Sequence, residues 1–123
     1  MQNAALEVIV DGHLAAYCEP DAERRQAAIG RLWNLEGRLI DPPFEARGQQ
    51  GVSEQAATLL SHYPGHRFER TTAVEAHHNV ARYGWRLLSP AGATVVEGVD
   101  ILDLDVDGRI SRVVGFFGAQ PPQ

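Results

Sequence analysis

The chain has 123 residues, of which 44% are hydrophobic and 22% charged, and its formal net charge is -5. This length predicts one domain that buries a core and has room for a pocket. The acidic balance, with no basic stripe, argues against nucleic acid as a partner. The apolar runs are shorter than the roughly 20 residues of a membrane span, and the opening segment lacks the features of a secretory leader. We therefore expect a cytoplasmic protein without membrane contact.

The cysteine and histidine side chains show no pattern typical of a metal site. Cys18 is the one cysteine, so it has no partner for an internal disulfide or a zinc site. His62 and His66 span a helix end and a turn. His77 and His78 are adjacent and either alternate between faces or turn outward. Neither pair has the spacing that places two ligands on one face of a helix, and we expect no metal and no cofactor.

The first half of the chain predicts three helices and one strand. Apolar and aromatic residues recur at helical spacing from Ala4 to Tyr17, with His13 on the same face. A second helix begins at Pro20, a residue that suits the first helical turn, and it ends near Asn34. The segment EGRLID predicts a short strand closed by two prolines, because proline removes ladder donors. A third helix is expected from about Gln49 to His62.

The second half changes to a period of two, which is typical of strands. Four segments alternate, with turns at HHN, SPAGA and DVDG between them: HRFERTTAVEA, NVARYGWRLL, TVVEGVDILDL and RISRVVGFFG. They predict a four-stranded antiparallel meander. Tyr83 and Trp85 share one face of the second segment, and we interpret them as core or as the wall of a pocket.

Three helices followed by a meander indicate an α+β fold, with the helices packed on one face of a mixed, mostly antiparallel sheet. Gly84, Gly98 and Gly115 lie inside long strands, where glycine permits bulges and lets the sheet curve strongly. A strongly curved sheet covered by helices forms a cone whose open end leads to a mostly apolar pocket. We assign residues 1–118 to this domain and residues 119–123 to a C-terminal tail.

Two aspartates occupy unusual places in their strands. Asp41 ends the EGRLID strand directly before proline, where it either terminates the strand or carries chemistry. Asp100 lies in mid-strand, in register with Leu102 and Leu104, and a buried carboxyl must be hydrogen-bonded or protonated. It is either a pocket residue or a structural pin bonded to backbone or to a neighbouring tyrosine. Both faces of its strand carry apolar residues, so alternation alone leaves the inner face open.

Several motifs resemble those of a known group of proteins. The segment from Thr94 to Gly118 has a spacing, from aspartate through turn glycine to final glycine, that is similar to that of ketosteroid isomerase. RGQQGV matches the start of a helix, and LIDPPF resembles the stretch that carries the isomerase's general base. Over nearly its whole length the chain resembles the nuclear transport factor 2-like superfamily, in its branch of ketosteroid isomerase and SnoaL-like polyketide cyclases. YPGHRF, HH, RYGW and GFFG are similar to an uncharacterised bacterial group.

This resemblance implies roles for residues at matching positions. Asp41 would be the proton shuttle and Asp100 a protonated donor in an oxyanion hole, because a base must be ionised whereas a donor to an enolate must stay neutral. His13 stands where the isomerase has a tyrosine on its first helix, and Tyr17, one turn further along, offers a phenol nearby. The alternative for His13 is a satisfied core histidine.

The resemblance also implies the surroundings of these residues. Val113 and Phe117 would be walls of the pocket. The outer face of the sheet commonly packs against a second subunit in this superfamily, so Arg82 and Arg86 would lie at a homodimer interface. The alternative for the two arginines is a solvated sheet face, and pairing with glutamates of neighbouring strands fits either.

Three functions follow as hypotheses. The first is a cofactor-free isomerase or cyclase that binds a small hydrophobic molecule and transfers a proton next to a carbonyl, which requires Asp41 and Asp100 to converge on one cavity. The second is a non-catalytic ligand-binding or scaffolding module of the same fold, which needs only apolar walls. The third is docking of protein cargo, which predicts an exposed apolar patch outside the mouth of the cone.

Overall fold

A computed structural model describes residues 3–123 of the chain. Within this range the chain forms three helices and seven strands. The helices are α1 Asn3–Ala16, α2 Ala22–Leu32 and α3 Gly48–His62. The strands are β1 Trp33–Asp41, β2 Phe44–Arg47, β3 Arg67–Arg70, β4 Glu75–His77, β5 Val80–Leu88, β6 Thr94–Leu104 and β7 Ile110–Phe117. In this part of the chain, no helix combines the length and the apolar composition that a membrane crossing requires.

The strands form one sheet in the order β2-β1-β7-β6-β5-β3, and β4 pairs with the beginning of β5. β1 runs parallel to β7, and the other pairs are antiparallel. The helices pack on one face, with α3 against β1 and α1 against β3. The sheet is not closed, so the domain is an open cone. The predicted α+β fold, with helices on a mixed and mostly antiparallel sheet, is confirmed.

The region around the two prolines differs from the prediction. β1 ends at Asp41 directly before Pro42 and Pro43, as predicted, but the two prolines form the turn of a hairpin, across which Asp41 pairs with Phe44. The sequence does not predict the resulting strand β2, which is only four residues long. The second helix also ends earlier than predicted, because Trp33 has extended backbone angles of φ -100 and ψ 144 and begins β1.

The predicted strand from residue 66 to residue 76 is interrupted in the structure. Residues 71–74 leave the ladder between β3 and β4. The Thr71 N–H still donates to the Gly84 carbonyl at 2.9 Å, and the Thr72 hydroxyl accepts from the Gly84 N–H at 2.8 Å. The backbone of Gly84 is therefore satisfied although no continuous strand lies beside it.

The inner face of the sheet carries the core. On β5 the buried alternate residues are Ala81, Tyr83, Trp85 and Leu87, as the period of two predicts. On β6 the buried residues are Asp100, Leu102 and Leu104. This face of β6 is therefore the inner one, while Val95 and Val99 of the outer face are 44% and 39% exposed.

A buried arginine ties α2 to α3. The Nε of Arg25 donates to Ser53 Oγ at 2.9 Å, and its Nη1 donates to the Glu19 carbonyl at 2.8 Å. Arg25 is 5% exposed, and within residues 3–123 no carboxylate pairs with it. Neutral acceptors thus satisfy a buried charge, and they fix α2 against the helix that forms one wall of the cavity described next.

Candidate active site

The inner face of the sheet and helices α1 and α3 surround a cavity of about 360 Å³. Small-molecule sites begin at about this size. Much of the wall is apolar, with Phe68 and Leu87 from the sheet and Leu59 from α3. Among the lining aromatic residues, Phe44, Phe117 and Tyr63 are 47%, 47% and 39% exposed and mark the mouth. The cavity is therefore mostly apolar, and aromatic rings border its opening.

Asp41 and Asp100 reach this cavity from the two strands that flank β7. Asp41 follows Ile40, which pairs with Val114 of β7. Asp100 pairs with Gly115 of β7. A β-carbon at position 115 would overlap Asp41 Oδ1 and would lie 3.1 Å from Asp100 Oδ1. The absence of a side chain at Gly115 therefore allows both carboxyls to lean into the same space.

The surroundings raise the pKa of both carboxyls. Burial raises the pKa of Asp41 to about 6, and the backbone amide of Gly115 offsets part of this effect. Burial also raises the pKa of Asp100 to about 7, and the nearby charge of Asp41 adds to it. The chain contains no lysine, and among residues 3–123 no arginine lines the cavity. Because no cation compensates, burial favours the neutral form of each acid.

Two donors on β5 face Asp100, Trp85 in the cavity wall and Tyr83 behind it. Tyr83 is 1% exposed, and its hydroxyl donates to Asp100 Oδ2 at 2.8 Å. The buried indole N–H of Trp85 has no acceptor at hydrogen-bond distance, yet it is near enough to Asp100 to lower the pKa of that carboxyl. Both donors favour ionised Asp100 and oppose the effect of burial. Tyr83 thus occupies Oδ2, while Oδ1 lies toward Gly115.

Helix α1 contributes two neutral polar rings to the cavity. His13 is 3% exposed and packs against Tyr17 and Trp33, with ring centroids 5.9 Å and 5.6 Å apart. Burial lowers the pKa of His13 to about 4, so the imidazole is uncharged at neutral pH. Burial and the charges of Asp41 and Asp100 raise the pKa of Tyr17, so its phenol keeps its proton. Both rings offer hydrogen bonds without charge.

The structure brings six of the eight site residues predicted from sequence to one cavity: His13, Tyr17, Asp41, Trp85, Asp100 and Phe117. Tyr83 and Val113 lie outside the lining. Tyr83 contacts Asp100, and Val113 is fully buried in the ladder between β1 and β6. The sequence analysis does not identify Phe44 and Tyr63 at the mouth. The weak signal for both is an aromatic residue next to proline.

Among the comparisons with known proteins, the one with solved structures identifies the family. No family model matches the sequence. No curated protein matches it either. A candidate isomerase of the SnoaL-like family from Agrobacterium tumefaciens str. C58 is 37% identical with a TM-score of 0.87, over 92% of this chain and 97% of that chain.

More distant structures share the fold alone. A candidate polyketide cyclase from Sinorhizobium meliloti is 14% identical with a TM-score of 0.72, over 94% of this chain and 100% of that chain. An NTF2-like protein of unknown function from Exiguobacterium sp. 255-15 is 14% identical with a TM-score of 0.71, over 91% and 99%. The open cone is therefore an NTF2-like fold. Within that class, the chain belongs to the SnoaL-like family, which confirms the resemblance read from its motifs.

Proposed function

We propose that this protein is a cofactor-free enzyme of the isomerase or cyclase kind, which moves a proton next to the carbonyl of a small hydrophobic compound. The observation that carries the proposal is the approach of Asp41 and Asp100 over Gly115 in an apolar cavity. The proposal is supported by two structural relatives that are described as a candidate isomerase and a candidate polyketide cyclase.

The two acids would take different roles because their surroundings differ: Asp100 is deeply buried beside the charge of Asp41, which favours its neutral form, whereas the Gly115 amide favours ionised Asp41. Asp41, with a pKa of about 6, is mostly ionised at neutral pH and suits a base. Asp100, with a pKa of about 7, keeps its proton to a higher pH and suits a hydrogen-bond donor. The active combination is most populated between these two values. We therefore expect a bell-shaped rate profile with its maximum between pH about 6 and about 7.

The proposed reaction needs no group from outside the cavity. Asp41 removes a proton from the carbon next to the carbonyl, and the electron pair moves onto the carbonyl oxygen. The Asp100 O–H donates to the enolate formed, with Tyr17 or His13 as a second neutral donor. In an isomerase Asp41 then returns the proton to a different carbon. In a cyclase the enolate carbon bonds to a second carbonyl, whose oxygen takes the electron pair of its broken C=O π bond and then the proton held by Asp41.

A titration with phenols tests the oxyanion site, because a phenolate imitates an enolate. We expect phenols of graded acidity to bind and to ionise on binding, which ultraviolet absorbance detects. Asp100→Asn replaces the O–H donor by a weaker N–H donor and should weaken binding about tenfold. Asp107→Asn, in an exposed turn, is the matched control. The proposal fails when no phenol binds, or when binding is the same in both variants and the wild type.

Hydrogen exchange tests the base. We expect the wild type to speed deuterium uptake at the α-carbons of 2-tetralone in heavy water, followed by proton NMR. Asp41→Asn should lower this rate by about a hundredfold or more, the usual contribution of a positioned base. Phenol binding should persist in the same variant. Exchange that is as fast in Asp41→Asn as in the wild type would remove Asp41 from the role of base.

Ligand binding without chemistry is the second candidate function. It is favoured by the hydrogen bond from Tyr83 to Asp100, which gives that carboxyl a structural partner. In this case phenols bind the wild type, and 2-tetralone exchanges no faster than in buffer. The two experiments above therefore separate an enzyme from a binding module.

We also propose that two copies of the chain pair through the outer face of the sheet. Val99 and Phe116 are neighbours on this face and are 39% and 60% exposed. Arg82 and Arg86 of β5 border them, each ion-paired with a glutamate of a neighbouring strand. We expect sedimentation to give a dimer and Phe116→Arg to give a monomer, with Val106→Arg in an exposed turn as control. A monomeric wild type would refute this pairing.

A further inference from the structure

Tyr83 determines which oxygen of Asp100 is free to carry a proton. Its hydroxyl donates to Oδ2, and among the described residues it has no other hydrogen-bond acceptor. A proton on Oδ2 would turn this bond around and leave the buried Tyr83 O–H without a partner. Such an unpaired buried donor is unfavourable. The proton of neutral Asp100 therefore belongs on Oδ1.

Oδ1 of Asp100 is also the oxygen that approaches Asp41. Both acids place an Oδ1 close to the single point where a β-carbon of residue 115 would lie. Two carboxylates this close repel each other, whereas a carboxyl and a carboxylate attract through one shared proton. The glycine at position 115 leaves the space between the two carboxyls open.

Among the residues that the structure describes, no other group around the pair supplies a positive charge. Helix α1 presents Tyr17 with its proton retained and His13 in its neutral form. Strand β5 presents Tyr83 and Trp85, which are neutral donors. Among residues 3–123 no arginine lines the cavity, and the chain has no lysine. The second negative charge can be neutralised only by a proton held within the pair.

We infer that Asp41 and Asp100 share one proton across Gly115 in the free site, and that Tyr83 is the positioning residue that confines it to Oδ1 of Asp100. The consequence for catalysis rests on the function proposed above. In the free protein the base Asp41 accepts a hydrogen bond from Asp100 and is held back from reaction. An entering carbonyl oxygen takes the place of Asp41 as the acceptor, and Asp41 is released beside the substrate carbon. No proton is gained or lost in this exchange of partners.

Carbon-13 NMR of labelled aspartate side chains tests the shared proton directly. We expect the carboxyl carbons of Asp41 and Asp100 to move in the same two pH steps, because interacting acids titrate as a pair. In Asp41→Asn the Asp100 carbon should show one step, about one pH unit below the upper step of the wild type. In Tyr83→Phe the upper step should rise, because ionised Asp100 has lost a donor. An upper step that stays in place in Tyr83→Phe would mean that Tyr83 does not act on Asp100, and it would refute the positioning role.

Gly115→Ala separates the two oxygens without changing either acid. Its φ lies outside the left-handed region, so alanine is compatible with the backbone. We expect each carboxyl in this variant to titrate in a single step of its own. Gly30→Ala, where the new methyl meets its nearest neighbour at an ordinary 3.7 Å, is the matched control and should keep the pattern of the wild type.

Separate single steps for the two carbons in the wild type would overturn the inference, as would an Asp100 step that Asp41→Asn leaves unchanged. The titrations of the wild type and of Asp41→Asn need neither a ligand nor the Gly115→Ala variant. They therefore remain decisive if Gly115→Ala does not fold. They also separate the two proposals. Independent titration together with phenol binding through Asp100 refutes the shared proton alone. Coupled titration without phenol binding or ketone exchange supports the shared proton and refutes the proposed enzyme.

Discussion

Asp100→Asn should make the protein more stable at high pH while leaving its stability at low pH nearly unchanged. The native state holds the proton of Asp100 up to about pH 7, whereas the unfolded state releases it near the usual pKa of 3.8. Over this range the native state binds more protons than the unfolded state. The contribution of protonated Asp100 to the free energy of unfolding is therefore complete below pH 3.8 and is lost as the pH rises to about 7.

The size of the effect follows from the shift in pKa. One pKa unit corresponds to about 1.4 kcal/mol, so the shift of Asp100 corresponds to at most about 4 kcal/mol in the free energy of unfolding. Asparagine keeps an oxygen that accepts from Tyr83 and never becomes charged. We expect Asp100→Asn to match the wild type near pH 4 and to exceed it by up to about 4 kcal/mol near pH 8. Asp41→Asn should also gain stability at high pH, because it removes both the raised pKa of Asp41 and one cause of the shift of Asp100.

Urea unfolding at a series of pH values measures this difference. The free energy of unfolding of each variant is compared with that of the wild type at the same pH. Asp107→Asn, in an exposed turn, is the control and should follow the wild type throughout. A difference between Asp100→Asn and the wild type that stays constant from low to high pH would refute the reasoning. It would mean that native Asp100 ionises as readily as in the unfolded chain.

Two further predictions concern the walls of the cavity. Ser53→Ala leaves the buried Arg25 Nε without its acceptor and should lower the free energy of unfolding in urea by about 1–3 kcal/mol. Its control, Ser61→Ala on the exposed side of the same helix, should change that free energy by less than about 0.5 kcal/mol. Gly98→Ala would push a methyl group against the Phe116 carbonyl and to 2.7 Å from Trp85 Cζ2. It should lower stability by about 1–3 kcal/mol and weaken phenol binding, and equal stability to the wild type would contradict this packing.

Most of the fold is predictable from the sequence because its signals are local. The helical spacing of apolar residues in α1 and the clear alternation in β5 arise from residues a few positions apart. The strand β2 is missed because Phe44 to Arg47 is too short to show a period and follows two prolines. The inner face of β6 is ambiguous for a different reason: its outer face carries Val95 and Val99, which resemble core residues although they are exposed.

The family resemblance identifies the two acids of the site, but it does not predict that their carboxyls approach each other over Gly115. Asp41, Asp100 and Gly115 meet only because of the register among three strands. That register shifts within both the β1–β7 and the β6–β7 ladders. No periodicity in the sequence records such shifts. The sequence leaves a neighbouring tyrosine open as the partner of Asp100, and only the pairing of β5 with β6 identifies it as Tyr83.

The position of β7 between the two strands that carry the acids has a consequence for folding. Asp41 and Asp100 stand 59 positions apart in the sequence, and β1 must pair with β7 before their side chains meet over Gly115. The β1–β7 pairing joins segments far apart along the chain, a kind of contact that forms slowly because a long loop must close first. We therefore expect the site to form late in folding. A phenol that binds through Asp100 would report the fraction of molecules in which β1 and β7 have paired.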